Sequence, residues 1–231
     1  MTLLGPRRRD PELLDEPGCR PRDLAPALRH IAQVNRWLGG ERALRLHLSP
    51  LRRSGRDVRV LDVGTGNAAV LERILRWGRE GGGRWWGVGT DFHPQVLRVA
   101  RQESGDGAAH LLLGDALALP FRPASFDVVL CTLTLHHFGD DDAAALVAEL
   151  ARVARLVLVN DLERGVPGYL SARVLAATWW RRNALTRNDA PLSVLRSFTA
   201  EELRAIGRSS GLQRVQVRRR FPFRLVLEGR A

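Results

Sequence analysis

The sequence predicts an α/β fold in which a mostly parallel sheet of seven strands is covered by helices on both faces. Short apolar runs without polar alternation recur between stretches of helical periodicity, a pattern typical of parallel strands buried on both faces. A Gly-x-Gly turn from Gly64 to Gly66 joins the first of these runs to a helix. With 231 residues, the chain is long enough for one substantial domain with a small addition.

Residues 1–50 precede this alternation and are predicted to form an arm and a helical cap. The segment from Met1 to about Leu24 carries four prolines among charged side chains, which favours an irregular arm. Apolar side chains then recur at helical spacing over residues 26–48 and predict one or two helices, interrupted at a Gly-Gly pair. Residues 51–231 are predicted to form the main domain, with an insertion at about 163–198.

The main domain begins with five predicted strands, most of them separated by helices. The strands are Val58–Val63, Trp85–Thr90, His110–Leu113, Asp127–Leu135 and Leu156–Val159. The helices are Ala68–Arg79, Gln95–Gln102 and Ala143–Ala154. Strands that alternate with helices in this way pair in parallel.

The pattern changes after the fifth strand. Helical periodicity spans Tyr169–Leu185, whereas the tract Leu185–Ser193 is polar and has little helical character. Residues 199–211 are predicted to form a helix, because Thr199 and Glu202 fit a capping box at its start.

The chain ends in two further strands. Val215–Arg219 and Arg224–Glu228 alternate in polarity and are separated by a short turn that contains Pro222. This pattern predicts an antiparallel edge of hairpin type, with one face of each strand exposed.

Composition limits the partners that we expect. The chain has 36 basic and 25 acidic residues, a formal net charge of +11, and every basic residue is an arginine. The arginines are dispersed, with short clusters at Arg7–Arg9, Arg181–Arg182 and Arg218–Arg220. A partner with phosphates or an anionic membrane surface would explain this charge, but clusters this short favour a general compositional bias. We therefore expect no nucleic-acid partner and leave peripheral membrane contact open.

The cysteines and the apolar runs predict a cytoplasmic location. Cys19 and Cys131 are expected to be free thiols, because two such cysteines make a disulfide framework or a cysteine-based metal site improbable. No apolar run is long enough to span a bilayer. The arginine-rich start is not followed by the apolar core of a signal peptide.

Polar or glycine residues follow each of the first three predicted strands. Gly64 and Gly66 allow a sharp turn against which a ligand can lie. Asp91 follows the second strand, near the spacing at which an acidic residue holds a ribose diol. Asp115 follows the third strand, where a carboxylate can accept a hydrogen bond from an exocyclic adenine amine. These groups are expected to converge on one crevice at the carboxyl ends of the strands.

This set resembles the class I S-adenosylmethionine-dependent methyltransferase family. That family has an acid-x-Gly-x-Gly motif after its first strand and an acid after each of the next two strands. Asp62, Gly64, Gly66, Asp91 and Asp115 match those positions in turn.

The resemblance covers residues 51–231 and implies a Rossmann-like fold with an antiparallel strand at its C-terminal edge. Two further segments are typical of the family's approach to the fourth strand, 119–121 (LPF) and 125–129 (SFDVV). Ala68 departs from the pattern, since many members have a third glycine there, and we expect only a minor adjustment of the turn.

The resemblance implies S-adenosylmethionine as the cofactor. The residues expected to bind it lie at the ends of the first four strands: Asp62, Gly64, Thr65, Gly66, Asn67, Asp91, Phe92, Asp115, Ala116 and Thr132. A dinucleotide oxidoreductase is disfavoured, because Ala69 stands where its third glycine would be and Asp62 would repel a pyrophosphate.

Two histidines after the fourth strand are the candidate catalytic residues. Transfer of the methyl group needs an aligned acceptor and, for a hydroxyl, removal of its proton. Imidazole titrates near neutral pH, so His136 or His137 is a candidate general base. Alternation along a strand favours His136, and the alternative is that these side chains only cap a helix or bond a carbonyl. Asn160 and Asp161, after the fifth strand, either bind the substrate or cap the next helix.

The absence of several motifs narrows the range of substrate classes. The chain has no Asn/Asp-Pro-Pro-aromatic motif of amino-adenine enzymes, and Cys131 lacks the preceding proline of cytosine-5 enzymes. No acid directly follows the fourth strand before Asp140, so a magnesium site of the catechol type is disfavoured. We therefore expect neither a nucleic-acid substrate nor a bound metal.

The insertion at 163–198 is predicted to be a lid over a hydrophobic acceptor. It contains aromatic side chains and a polar tract. The residues expected to contact the acceptor are His136, Asn160, Trp179 and Arg187, with Asn188 and Asp189 of the polar tract. An apolar lining suits a phenol, a quinone or a polyketide-like molecule, methylated on oxygen. The alternatives are an RNA or protein methyltransferase that uses the arginine-rich surface, and a non-catalytic cofactor-binding subunit.

Overall fold

The computed structural model describes residues 4–15, 21–103 and 109–231. Cys19 and parts of the predicted arm lie outside these residues, so the expectations for them stay predictions. Cys131 is a buried free cysteine, as expected. Among the helices of the described residues, none is long and apolar enough to cross a membrane.

The described residues form one sheet of seven strands in the order β3-β2-β1-β4-β5-β7-β6. The strands are β1 (Val58–Val63), β2 (Trp85–Asp91), β3 (Ala109–Leu113), β4 (Phe126–Thr132), β5 (Ala154–Leu162), β6 (Arg214–Arg220) and β7 (Arg224–Arg230). The first five pair in parallel, and β7 runs antiparallel between β5 and β6. The predicted fold class is confirmed. The order reverses between β1 and β4, where open α/β sheets bind their ligands.

Helices cover both faces of this sheet. They are α1 (Pro21–Trp37), α2 (Gly40–Arg53), α3 (Ala69–Arg79), α4 (Pro94–Glu103), α5 (Asp140–Val153), α6 (Val166–Ala177), α7 (Ala184–Arg196) and α8 (Ala200–Ser209). On one face, α2 and α3 pack on the sheet through Leu44, Leu48 and Ile74. On the other face, α5 and α8 pack through Leu146, Leu150 and Leu203. The predicted break near Gly39 is confirmed, although α2 packs on the sheet rather than standing apart as a cap.

The prediction that Leu185–Ser193 has little helical character is wrong, because α7 spans this tract. Its start is capped by Asn183, whose side chain accepts a hydrogen bond from the backbone of Thr186. Part of its buried side is polar, since Asp189 accepts hydrogen bonds from the backbone amides of Leu13 and Leu14. An analysis of apolar spacing therefore fails to detect this helix.

The fourth strand is shorter than predicted. It ends at Thr132, and Leu133 has a φ of 54°, a left-handed conformation that ends the extended backbone. Residues 135–137 then form a single 3-10 turn. The two histidines therefore lie on a turn, and strand alternation does not decide which of them faces a ligand.

Candidate functional site

A cavity of about 850 Å³ lies at the carboxyl ends of the central strands. Its floor is the turn from Gly64 to Asn67 after β1, together with the residues that follow β2, β3 and β4. This volume is in the upper part of the range for small-molecule sites. The cavity is where a ligand of an open α/β sheet is expected.

The turn after β1 requires glycine. Gly64 and Gly66 have φ angles of 69° and 58°, in the left-handed region that side chains disfavour. A Cβ atom on Gly64 would also collide with the side chain of Thr134. Ala68 keeps a positive φ of 60°, which explains why a third glycine is common at this position in the family that the sequence resembles.

Two carboxylates of the cavity wall are held in fixed positions by the turn. The Oδ2 atom of Asp62 accepts a hydrogen bond from the Thr65 hydroxyl at 2.8 Å. The carboxylate of Asp91 accepts the backbone amides of Gly66 and His93, each at 3.1 Å. These bonds fix the carboxylates and leave lone pairs for a ligand.

The electrostatics of Asp62 point to a cationic ligand. Its side chain is 2% exposed, and its Oδ1 atom is buried without a hydrogen-bond partner in the described structure. Burial raises the pKa of Asp62 to about 7, and the hydrogen bond from Thr65 opposes this shift only in part. Burial also raises the pKa of Asp91. A positive group beside Asp62 would supply the missing partner and favour the ionised carboxylate.

All ten residues predicted to bind the cofactor line this cavity. They are Asp62, Gly64, Thr65, Gly66, Asn67, Asp91, Phe92, Asp115, Ala116 and Thr132. Asp115 accepts a hydrogen bond from the amide of Leu117 through one carboxylate oxygen. The structure therefore brings the predicted set together, and their contacts with a cofactor stay predictions.

The two candidate histidines have different environments. His137 lines the cavity, and its Nδ1 atom lies 2.7 Å from the carboxylate of Asp15. His136 is 2% exposed and is not part of the cavity lining. Its Nδ1 atom lies 2.7 Å from Asp161, and its Nε2 atom lies 3.4 Å from Glu12. The preference for His136 over His137 therefore does not follow from the structure.

Buried charges hold His136 in place. Burial alone would lower its pKa, but the carboxylates of Asp161 and Glu12 outweigh burial and raise the pKa to about 10. Burial would raise the pKa of Glu12, but its hydrogen bond to His136 and the charge of His137 lower that pKa to about 2. In this arrangement His136 is not available as a proton acceptor at neutral pH.

Three other predicted substrate contacts lie outside the cavity lining. Asn160 is fully buried, and its amide donates to the carbonyl of Gly40 at 3.2 Å. Trp179 is 65% exposed and packs edge-on against Trp37 at the surface. Arg187 is exposed on α7. Their role in substrate binding stays a prediction.

The second wall of the cavity comes from the N-terminal part of the chain. Leu28, Ile31 and Asn35 of α1 line it, together with Leu14 and Asp15 of the arm. The predicted lid, residues 163–198, supplies none of the lining that is described. The helical periodicity of α1 gave a signal for its inward face, whereas nothing in the sequence around Asp15 indicated that the arm would reach the site.

Comparison with known proteins identifies the domain. Residues 60–156 match the family described as a methyltransferase domain. This match supports the resemblance of the domain to the class I S-adenosylmethionine-dependent methyltransferase family. It is 37% identical over 98 residues to the demethylmenaquinone methyltransferase of Roseiflexus sp. RS-1, a match that covers 42% of this chain and 39% of that protein. The match therefore spans about two fifths of the length of this curated relative.

Solved structures of other methyltransferases share the fold of this domain. A candidate O-methyltransferase from Nostoc punctiforme aligns with a TM-score of 0.66 at 16% identity and covers 99% of this chain and 66% of that one. Magnesium protoporphyrin IX methyltransferase from Synechocystis, solved with bound S-adenosylmethionine, aligns with a TM-score of 0.57 at 16% identity and covers 89% and 90% of the two chains.

The residues of the cavity fit the cofactor of this family. S-adenosylmethionine has a ribose diol, an adenine amine and a positively charged methionine part. Asp91 and Asp115 lie after β2 and β3, where carboxylates bind the first two groups. The buried, unpartnered Oδ1 atom of Asp62 fits the third.

Proposed function

We propose that this protein transfers a methyl group from S-adenosylmethionine to a small hydrophobic acceptor, with a hydroxyl oxygen as the favoured position. One observation carries the proposal. The same cavity is lined by polar residues of cofactor-binding type and by apolar side chains, Leu14, Leu28, Ile31 and Phe138 among them. A single space of this size suits both partners of a displacement reaction.

The polar wall holds the cofactor. Asp91 binds the ribose diol, Asp115 binds the adenine amine, and Asp62 faces the positive methionine part. The bound cofactor supplies an electrophilic methyl group. The chain's contribution is to align the acceptor with that group and to exclude water, which is the main requirement of an in-line displacement.

His137 is the proton acceptor for the substrate hydroxyl. Its ring is in the wall of the cavity, and Asp15 accepts the Nδ1 proton. The Nε2 atom, 3.9 Å from a carboxylate oxygen of Glu12, is then the position that takes a proton. A carboxylate behind an imidazole also stabilises the cation that forms. Asp15 thus acts as the positioning residue for His137.

The acceptor class that we favour is a phenol or a quinone-like ring. The Roseiflexus relative is named for demethylmenaquinone, and the apolar side chains of α1 and the arm suit a ligand of that chemistry. The cavity is partly open to solvent, so a lipophilic substituent on the ring can extend beyond it.

An exposed apolar surface fits delivery of such an acceptor from a membrane. Its members are exposed side chains of α1, α6, the segment between α6 and α7, and the turn between β6 and β7: Trp37, Leu170, Val174, Trp179 and Phe221, the last 90% exposed. The exposed arginines Arg36, Arg173 and Arg181 lie within two residues of Trp37, Val174 and Trp179 along the sequence. Exposed patches of this kind mark interaction sites, and arginine beside tryptophan matches an anionic lipid surface.

The test uses methyl-labelled S-adenosylmethionine with the purified chain and a panel of reduced quinones and phenols. We expect label in the organic-soluble product and its position on oxygen by mass spectrometry. Label found only in RNA or in protein after incubation with cell extract would overturn the small-molecule proposal. Cofactor binding without transfer to any acceptor would favour a non-catalytic subunit instead.

A further inference from the structure

Three side chains from distant parts of the chain meet beside the cavity. Glu12, His136 and His137 each point one potential ligand atom to a common space, and these atoms lie within 4.8 Å of one another. The Nε2 atom of His136 is 3.4 Å from one carboxylate oxygen of Glu12, and that of His137 is 3.9 Å from the other oxygen. The two rings lie 4.4 Å apart.

The opposite nitrogen of each ring is bound by a carboxylate. Asp161 lies 2.7 Å from Nδ1 of His136, and Asp15 lies 2.7 Å from Nδ1 of His137. Carboxylates that accept the Nδ1 protons orient both Nε2 atoms toward the space beside Glu12, and an ion bound there would replace the proton that Nε2 of His136 otherwise carries. Metal-binding histidines almost always have such a hydrogen-bond partner on their second nitrogen.

The distances also agree with a metal centre. Zinc bonds to histidine nitrogen and carboxylate oxygen are about 2.0–2.2 Å, so two ligands of a tetrahedral site lie about 3.4 Å apart. The separation of His136 from one oxygen of Glu12 has this value. The Nε2 atom of His137 lies 3.9 Å from the other oxygen, so His137 would need to move by about half an ångström.

We propose that Glu12, His136 and His137 bind one divalent transition-metal ion, with Zn²⁺ as the preferred ion. Two imidazoles and one carboxylate are a known zinc ligand set, and in such sites the fourth position is open to water or substrate. Mg²⁺ is excluded as the preferred ion because it requires oxygen ligands. His137 and Asp15 belong to the cavity wall, so the open position is on the side of the acceptor.

The charges around the cluster can accept a dication. The carboxylates of Glu12, Asp15 and Asp161 face it, and Asp189 lies near the arm. The nearest guanidinium is that of Arg196, 4.0 Å from Glu12. Its Nη atoms are bonded to backbone carbonyls of Asp10 and His137. Arg7 points to the backbone carbonyls of Phe138 and Arg196 and to Asp140.

The ion would change what His137 does. With the metal bound, its Nε2 atom is a ligand, and an acceptor oxygen at the open position becomes more acidic by coordination. Without the metal, the imidazole itself takes the proton. Only this use of the open position rests on the proposed function, since binding of the ion rests on the geometry of the cluster alone.

The test measures binding of zinc without any substrate or cofactor. The untagged full chain is treated with chelator, dialysed and titrated with Zn²⁺ by calorimetry. We expect one ion per chain, and Glu12→Gln or His137→Gln should weaken binding by at least about 100-fold, because each removes a direct ligand. Asp15→Asn should weaken it by about 10–100-fold through the neighbouring imidazole.

Two control variants remove the same chemical groups elsewhere. Glu201→Gln and His110→Gln replace exposed side chains on α8 and β3 and should leave zinc affinity unchanged. Wild-type affinity no higher than that of Glu12→Gln, or equal binding of Mg²⁺ and Zn²⁺, would overturn the proposal. Circular dichroism of each variant identifies a loss that comes from misfolding.

A second readout uses cobalt as a spectroscopic substitute. Co²⁺ in a tetrahedral site absorbs visible light strongly, so the wild-type chain should develop this absorption and Glu12→Gln should not. A wild-type spectrum identical to that of aqueous Co²⁺ would count against the site. Methyl transfer can fail while zinc binds, or proceed while zinc does not bind, so the two proposals are tested separately.

Discussion

The two halves of the cavity differ in how they are built. The half around Gly64, Asp91 and Asp115 consists of residues that directly follow strands of the central sheet. The other half combines the arm and α1 with the turn that contains His137, which lies 122 residues after Asp15 along the chain. The first half is therefore positioned by the sheet, whereas the second depends on long-range polar contacts between segments.

Replacing His137 with alanine is expected to cause the largest loss of methyl transfer. The loss should come only from the half of the cavity that contains the arm, α1 and His137, which we call the acceptor half. Loss of a proton acceptor or of an activating ligand should lower kcat on the order of 10²–10⁴-fold. Affinity for S-adenosylmethionine should stay within about twofold, because His137 does not hold the cofactor wall. Steady-state kinetics with calorimetry separate the two. An equal loss of both would show that the halves are not independent.

Asp91→Ala should affect the cofactor half. The variant removes a carboxylate that accepts the amides of Gly66 and His93 and is placed to bind the ribose. We expect a loss of about 2–4 kcal/mol in binding of S-adenosylmethionine, about 30–1,000-fold in Kd. Asp57→Ala is the control, because Asp57 pairs with Arg84 beyond the opposite end of β1. Unchanged cofactor affinity in Asp91→Ala would contradict the ribose assignment.

The pH dependence of cofactor binding tests the role of the Asp62 carboxylate. The pKa of this carboxyl is raised to about 7 by burial, so it is mostly protonated at pH 6 and mostly ionised at pH 8. A positively charged ligand prefers the ionised form, so affinity should increase with pH by about tenfold over this interval. Asp62→Asn should bind more weakly and show a flat profile, and titration of the binding constant at several pH values checks both.

Substitutions in the exposed apolar surface, which lies outside both halves of the cavity, should give the smallest effect, a change in vesicle binding. Phe221→Glu places a negative charge in the most exposed aromatic position and should reduce sedimentation with anionic vesicles severalfold. Trp86→Ser, a change at an exposed aromatic residue of β2 on the other side of the sheet, should not. Identical sedimentation of the two variants would refute a membrane contact at this surface.

The comparison of the two halves also explains what could be predicted from the sequence. The motif residues Asp62, Gly64 and Asp91 lie at fixed positions relative to strands, so predicting the strands predicts the cofactor wall. Glu12 and Asp15 have no such local signal. Their place depends on hydrogen bonds from Leu13 and Leu14 to Asp189 and from Arg196 to Asp10, which no periodicity reveals.

The preference for His136 rested on a longer fourth strand than the structure has. The sequence LTLHHF continues an apolar strand in pattern, and alternation would then direct His136 to the ligand. The positive φ of Leu133 ends the strand early and turns His137 to the cavity instead. The polar buried face of α7 likewise concealed a helix from an analysis based on apolar spacing.

The polar attachment of the arm has a consequence for how such proteins diverge. Residues 60–156, which match the methyltransferase family, contain the glycine turn but neither the arm nor α1. Changes in the turn endanger the sheet, because even one added methyl group at Gly64 collides with Thr134. Changes in the arm alter contacts outside the sheet, such as the bonds from Leu13 and Leu14 to Asp189. With the acceptor bound as we propose, substitutions in the described arm and α1 would change the substrate of this scaffold while the glycine turn that holds the methyl donor is kept.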